Sequence, residues 1–212
     1  MIRIAVLVSG SGSNLQALID AKLSGQIVGV ISNRADAYAL ERAKQHNIAT
    51  AVISHRDFPT REAFDAQMHQ QLIAWEIDLV VLAGFMRILT ANFVDKWQGR
   101  MLNIHPSLLP AYKGMHTHQR VLATGDRYHG CTVHFVTSEL DAGQAISQAV
   151  LTVKHNDNTN TLAMRIHHLE HFIYPRVVEW FCQKQLIWQN SQVYFDQQLL
   201  TEPVVFFPPQ KY

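Results

Sequence analysis

The first half of the chain alternates short apolar runs with stretches whose apolar residues follow a helical spacing. The apolar runs are rich in valine and isoleucine, as buried strands are, and they read IRIAVLV, QIVGVIS, IATAVIS, IDLVVLAGF and RMLNIH. The stretches between them predict helices over residues 14–24, 38–46, 60–75 and 90–98. This order predicts an α/β fold of three layers, in which a Rossmann-like, mostly parallel sheet has helices on both faces.

The pattern changes beyond Pro110. GCTVHFVT and AISQAVLTV predict two further strands joined through SELDAG, which indicates an antiparallel, hairpin-like addition to the sheet in the C-terminal half. A long helix is predicted from Thr159 to Lys184, because apolar residues recur there at steps of three and four. The last segment contains turn residues and prolines, so surface strands or loop are expected there.

Composition narrows the class of partner. The chain has 212 residues, of which 48% are hydrophobic and 17% charged, and its formal net charge is +1. No run of lysines or arginines stands out, so we expect small-molecule substrates, and neither nucleic acid nor a membrane as partner. The N-terminal apolar segment is too short for a membrane span and lacks a cleavage site, which favours a cytoplasmic protein. The two cysteines form no C-x-x-C pair, as expected of reduced thiols.

Polar side chains end the fifth apolar run. Residues two apart in a strand share a face, so Asn103 and His105 are expected to point into the same space, and Pro106 ends the strand. Asp141 lies in the turn LDAG, where aspartate is also an ordinary turn residue. A carboxylate beside an imidazole favours its charged form, and an amide with an imidazolium stabilises an oxyanion. Without a recognisable nucleophile elbow, these residues suit acyl transfer in which the substrate brings the nucleophile.

The segment GSGSN, residues 10–14, falls between the first strand and the first helix. Backbone N–H groups at a helix start bind anions, so the segment predicts a phosphate site. The alternative is a tight turn in which Ser13 caps the helix. The segment is neither the dinucleotide fingerprint, whose third glycine is replaced by Leu15, nor a Walker loop.

A histidine pattern, HHLEH at residues 167–171, matches the H-x-x-E-H pattern of some zinc peptidases. His167 and His171 lie one helical turn apart, but no third ligand with companion spacing is evident, and a chain with 12 histidines can produce the pattern by chance. We therefore expect no metal. The HTH at residues 116–118 is interpreted as a loop that leads into a helix.

Five segments together resemble the glycinamide ribonucleotide formyltransferases, folate-dependent enzymes of purine synthesis. In chain order they are SGSGSNLQAL, DLVVLAGFMRIL, LNIHPSLLPAYKGMHTHQ, HGCTVHFVTSELDAG and the E-H-x-I-Y-P of residues 170–175. Methionyl-tRNA formyltransferase and formyltetrahydrofolate deformylase share the Asn-x-His and the distant aspartate, so the GSGSN loop carries the assignment to the ribonucleotide enzymes. The resemblance implies transfer of the formyl group of 10-formyltetrahydrofolate to the amine of glycinamide ribonucleotide without a metal.

The resemblance also implies roles for individual residues. The catalytic residues would be Asn103, His105 and Asp141. The ribonucleotide phosphate would be held by Gly12, Ser13 and Asn14, and the rest of the ribonucleotide would contact His167, His168, Leu169 and Glu170. Formylfolate would be bound by Arg61, Met86, Arg87, Ile88, Leu89, Asn103, Thr137, Ser138, Glu139, Leu140 and Asp141. One position departs from the family, since Gln144 follows Asp-x-Gly where proline is usual, and this predicts a less rigid turn and weaker folate binding.

We expect one domain over residues 1–212, with a phosphate-binding half at 1–110, a folate-side and closing half at 111–184 and a tail at 185–212. A monomer or a weak homodimer is expected. Alternatives remain open: another formyltetrahydrofolate-dependent formyltransferase or a deformylase with the same three residues, a non-catalytic nucleotide-binding module, and a metallopeptidase. Turnover with the ribonucleotide present, compared with folate alone, distinguishes the ribonucleotide enzyme, the other folate-dependent enzymes and the nucleotide-binding module.

Overall fold

The computed structural model describes residues 1–208. In chain order its elements are β1 (Arg3–Val8), α1 (Ser13–Asp20), β2 (Gln26–Ser32), α2 (Tyr38–Gln45), β3 (Ala49–Val52), a 3-10 turn (His55–Asp57), α3 (Arg61–Ala74), β4 (Leu79–Leu82), α4 (Ala91–Lys96), β5 (Met101–His105), α5 (Thr117–Thr124), β6 (Tyr128–Phe135), β7 (Ala145–Thr152), α6 (Thr159–Cys182), β8 (Leu186–Gln189), β9 (Gln192–Phe195), β10 (Gln198–Leu199) and β11 (Val204–Phe206). Every predicted strand and helix is present. The largest difference is at α1, which ends at Asp20 because Lys22 takes a left-handed φ of 50°.

Eight strands form one sheet in the order β11-β7-β6-β5-β4-β1-β2-β3. Strands β1 to β5 run parallel, whereas β6 is antiparallel to both β5 and β7, which confirms the hairpin-like addition. Apolar residues of α1, α2, α5 and α6 are buried on one face, and those of α3 and α4 on the other. The three-layer α/β arrangement predicted from the pattern is therefore confirmed.

The C-terminal segment contains the expected surface strands, and one of them extends the main sheet. Strands β8, β9 and β10 form a separate antiparallel sheet, but β11 pairs parallel with β7 at the sheet edge. The Ser147 hydroxyl donates to the Val204 carbonyl at 2.8 Å, and the Gln144 side-chain amide donates to the Leu200 carbonyl. Gln144 thus binds the tail to the start of β7. Residues 209–212 of the predicted tail lie outside the described part of the chain.

Helix α6 crosses the sheet behind the ends of β4 and β5. It begins where the Asn158 side chain accepts from the Thr161 N–H, while the Thr161 hydroxyl accepts from the Asn158 N–H at 2.8 Å. Further along, the buried Tyr174 hydroxyl lies 2.8 Å from the Leu82 carbonyl oxygen and 3.1 Å from that of Leu102. The helix therefore contacts both strands at the edge where the predicted site residues lie.

The strand order reverses at β1, which has β2 on one side and β4 on the other. In an open parallel sheet, the connections leaving the carboxyl ends of such neighbours diverge to opposite faces and leave a crevice that binds ligands. None of the helices within residues 1–208 has the length and apolar character needed to cross a membrane.

Candidate active site

A cleft of about 740 Å³ opens at the carboxyl edge of the sheet, at the point where the strand order reverses. Segments that follow β1, β4, β5 and β6 form its walls, and α6 closes its back. These lining segments are residues 10–14, 82–89, 103–106, 114–118 and 136–141. The phosphate segment and the three predicted catalytic residues, far apart in sequence, thus share one cleft.

Strand β5 presents Asn103 and His105 on the same face, as their spacing predicted. His105 is 7% exposed, and its Nε2 lies 2.9 Å from the Tyr112 carbonyl oxygen, so Nε2 carries a proton and donates to it. Its Nδ1 lies 3.5 Å from Asp141 Oδ2. That carboxylate oxygen also accepts from the Gly114 N–H at 2.9 Å. The imidazole is therefore oriented by a carbonyl on one nitrogen and a carboxylate near the other.

The loop between β6 and β7 returns Asp141 to the end of β5. Asp141 has a φ of 48°, a left-handed conformation that aspartate adopts more readily than most residues. Two residues later, a Cβ on Gly143 would lie 1.6 Å from the Phe135 carbonyl oxygen, so this position accepts only glycine. The Asp-x-Gly pattern is thus a turn and also a means of placing a carboxylate beside His105.

The segment 10–14 leads directly into α1. Gly12 occupies the N-cap with a φ of 76°, and Ser13 is the first helical residue, so the interpretation of Ser13 as a side-chain cap is wrong. A Cβ at Gly12 would lie 2.6 Å from Ala39 Cβ, which explains the glycine. Within residues 1–208, no backbone N–H of residues 11–14 donates to another backbone or side-chain group. These N–H groups are available to an anion in the cleft.

Glu170 projects from α6 towards the same segment. Its carboxylate accepts from Asn14 Nδ2 at 2.9 Å, and Asn14 Oδ1 is buried without a hydrogen-bond partner among the described residues. Burial raises the pKa of Glu170 to about 7, and the hydrogen bond from Asn14 opposes this effect only in part. The side chain is 5% exposed and lines the cleft. It therefore offers a hydrogen-bonding carboxyl group beside the segment 10–14.

Comparison with known proteins shows which family the chain belongs to. The sequence matches the family described as formyl transferase over residues 2–178. The chain belongs to this family. It is 46% identical to the phosphoribosylglycinamide formyltransferase of Escherichia coli strain K12 over 215 residues, which cover 100% of this chain and 98% of that protein. It is 49% identical over 181 residues to the trifunctional purine biosynthetic protein adenosine-3 of Homo sapiens, with coverage of 84% of this chain and 18% of that protein.

The fold also closely matches those of solved formyltransferase structures. The structure of the phosphoribosylglycinamide formyltransferase from Coxiella burnetii has a TM-score of 0.93 and 48% sequence identity, and the match covers 98% of this chain and 99% of that one. The structure of glycinamide ribonucleotide transformylase 1 from Symbiobacterium toebii has a TM-score of 0.88 at 42% identity, with 92% and 94% coverage.

One neighbour of the predicted site residues in this formyl transferase was not expected. His134 lies opposite Asn103 in the β5–β6 pairing, and its Nε2 is 3.1 Å from Asn103 Nδ2. Its Nδ1 is 2.8 Å from the Phe135 carbonyl oxygen and donates to it, and burial lowers the pKa of His134. The ring is therefore neutral and Nε2 accepts from Asn103, which fixes the orientation of the amide. His134 lies in the predicted strand GCTVHFVT, so it could have been predicted as a neighbour of Asn103 if that strand had been paired with β5.

Not every residue that the family resemblance implied lines the cleft. On α6, His167 and Glu170 face it, whereas His168 is exposed elsewhere and Leu169 is buried in the core. The rings of His167 and His171 stack with centroids 6.4 Å apart. Within residues 1–208, no group of three or more metal-binding side chains is placed to hold an ion.

The implied folate residues divide in the same way. Met86 and Ile88 are each 62% exposed at the mouth of the cleft, and Leu140 is 53% exposed opposite them. Arg61 lies outside the main cleft, where it lines a neighbouring cavity of about 200 Å³ together with Arg87. Its Nη2 donates to the Ile88 carbonyl at 2.9 Å. Arg61 therefore contacts the 86–89 segment rather than the main cleft.

Proposed function

We propose that the chain transfers the formyl group of 10-formyltetrahydrofolate to the amine of glycinamide ribonucleotide in purine biosynthesis. The observation that carries this proposal is the placement of Asn103, His105 and Asp141 in one cleft with an anion-binding loop and Glu170. The relatives that match nearly the whole chain have names that fit the same reaction. The two substrates are small molecules, and the protein acts without a metal in the cytoplasm as a monomer or weak homodimer.

The chemistry follows from what each polar group can donate or accept. The substrate amine forms a bond to the formyl carbon, the bond from that carbon to the folate nitrogen breaks, and one proton passes from the amine to the departing nitrogen. Asn103 keeps one amide proton free of His134 and directs it at the formyl oxygen, which becomes negative during the attack. His105 stabilises the same oxygen from its Nδ1 side, and Asp141, whose Oδ2 lies 3.5 Å from that nitrogen, accepts the proton that the amine loses and passes it to the departing folate nitrogen.

Each substrate has a separate part of the cleft. The ribonucleotide phosphate is bound by the N–H groups of residues 12–14, and Glu170 accepts from the sugar hydroxyls. The pterin ring lies between the apolar side chains at the cleft mouth and the backbone groups of segments 86–89 and 137–141, which can pair with its donors and acceptors. The volume of the cleft is within the range of cofactor sites.

The experiment mixes purified protein with 10-formyltetrahydrofolate and glycinamide ribonucleotide and follows the release of tetrahydrofolate. Turnover that requires both substrates is expected. Release of formate with folate alone would indicate a deformylase, and phosphate binding without turnover would indicate a nucleotide-binding module. Either result would overturn the proposal.

The catalytic roles predict the effects of two variants. His105→Ala and Asp141→Asn should each lower kcat at least about a hundredfold, the scale of a lost acid–base or oxyanion group, with little change in ribonucleotide affinity. Asparagine tolerates the positive φ of residue 141, so the second variant keeps the turn. The double variant should be far from additive, because residues acting as one unit cannot be removed twice.

His155→Ala is the control for these variants, because His155 is an exposed histidine outside the cleft. It should retain full turnover. The folded fraction of each variant is measured by circular dichroism, and kcat is expressed per folded molecule. Near-normal turnover by folded His105→Ala would contradict the assignment.

A further inference from the structure

Helix α2 contacts the segment 10–14 through two hydrogen bonds. The Ala39 N–H donates to the Gly10 carbonyl at 3.1 Å, and Arg42 Nε donates to the Ser11 carbonyl at 2.9 Å. In a trans peptide unit, the carbonyl of one residue and the N–H of the next point in opposite directions. A Ser11 carbonyl bound by α2 therefore turns the Gly12 N–H away from α2, on the side of the segment that lines the cleft.

The Arg42 side chain is itself fixed by two further contacts. Its Nη1 donates to Gln16 Oε1 on α1 at 3.2 Å, and its guanidinium carbon lies 5.0 Å from the centre of the Tyr38 ring. One planar guanidinium thus joins the segment, the first turn of α1 and α2. Arg42 is half-buried and is not among the residues that line the cleft within the described part of the chain.

We propose that Arg42 is a positioning residue for phosphate binding. It holds the peptide unit between Ser11 and Gly12 in the orientation that presents an N–H to a phosphate, and it does not touch the phosphate itself. This inference rests on the proposed function only in taking the ligand of this segment to be the phosphate of a ribonucleotide. Lysine in its place would keep the positive charge but could not bridge the Ser11 carbonyl and the Gln16 side chain with one rigid group.

The test compares Arg42→Ala and Arg42→Lys with Lys44→Ala. Lys44 lies on the same helix with the same charge, but its side chain is exposed and forms its ion pair with Glu41. Two quantities are measured: the dissociation constant of ribose 5-phosphate by calorimetry, and the KM and kcat with glycinamide ribonucleotide. Arg42→Ala should weaken ribose 5-phosphate binding and raise the ribonucleotide KM by about tenfold, the scale of one charge-assisted hydrogen bond. kcat and the folate KM should stay within about twofold, and Lys44→Ala should resemble the parent.

Glycinamide riboside, the substrate without its phosphate, distinguishes a positioning role of Arg42 from a general loss of structure. Its KM should change less than about twofold in Arg42→Ala, because the lost orientation affects only the phosphate. Arg42→Lys should recover only part of the affinity. Three results would overturn the inference: unchanged phosphate binding in Arg42→Ala, full recovery in Arg42→Lys, or an equal loss with the phosphate-free riboside. If the parent protein binds ribose 5-phosphate but does not turn over, the proposed function fails and the binding measurements still decide the role of Arg42.

Discussion

Glu170→Gln is expected to make the protein more stable at alkaline pH. Burial raises the pKa of this carboxyl from 4.5 to about 7, so the folded chain binds the proton more tightly than the unfolded chain. The contribution of the proton to stability is therefore fully present below pH 4.5 and is lost as the pH rises to about 7. Above that pH the parent protein holds a buried charge whose main partner is the Asn14 amide.

The magnitude follows from the difference between the two pKa values. At about 1.4 kcal/mol per pH unit, the rise from 4.5 to about 7 corresponds to about 3 kcal/mol. The glutamine side chain is neutral, similar in shape, and still able to accept from Asn14. The variant should therefore exceed the parent in unfolding free energy by up to about 3 kcal/mol at pH 8 and by less than about 1 kcal/mol at pH 5.

Urea unfolding of both proteins at pH 5 and pH 8 measures this difference. The histidines and other titratable groups are common to both proteins, so their contributions cancel in the comparison. Glu62→Gln is the control, because this carboxylate is exposed on α3 and its removal should change stability equally at both pH values. If Glu170→Gln has the same effect at pH 5 and pH 8, or is the less stable protein at pH 8, the reasoning from burial is refuted.

Two further substitutions test the packing around the site. Gly12→Ala should weaken ribonucleotide binding more than tenfold by calorimetry while formylfolate binding persists, because the added Cβ would lie 2.6 Å from Ala39 Cβ and must displace the segment; equal affinity would contradict this account. Tyr174→Phe should lower the free energy of unfolding by about 0.5–1.5 kcal/mol, because it removes a buried hydroxyl that lies 2.8 Å from the Leu82 carbonyl oxygen and 3.1 Å from that of Leu102. A loss below about 0.5 kcal/mol in urea unfolding would mean that another donor replaces the hydroxyl.

Local pattern was sufficient for the elements and for part of the site. Runs of valine and isoleucine separated by helical spacing specify a parallel sheet, because each segment has its own periodicity. The shared face of Asn103 and His105 follows from the two-residue period of a strand. Each of these features depends on residues that are neighbours in sequence.

Tertiary structure decided the features that depend on which segments meet. His134 faces Asn103 only because β6 pairs with β5 in one register, and a shift by one residue would turn its side chain to the other face. β11 joins the main sheet through a parallel pairing with β7, more than fifty residues earlier in the chain, which no local period encodes. The raised pKa of Glu170 and the contact of Arg42 with the Ser11 carbonyl depend on how α6 and α2 pack against α1. Side-chain periodicity is a property of the local sequence. Strand register, burial and contacts between helices form only when the whole core packs.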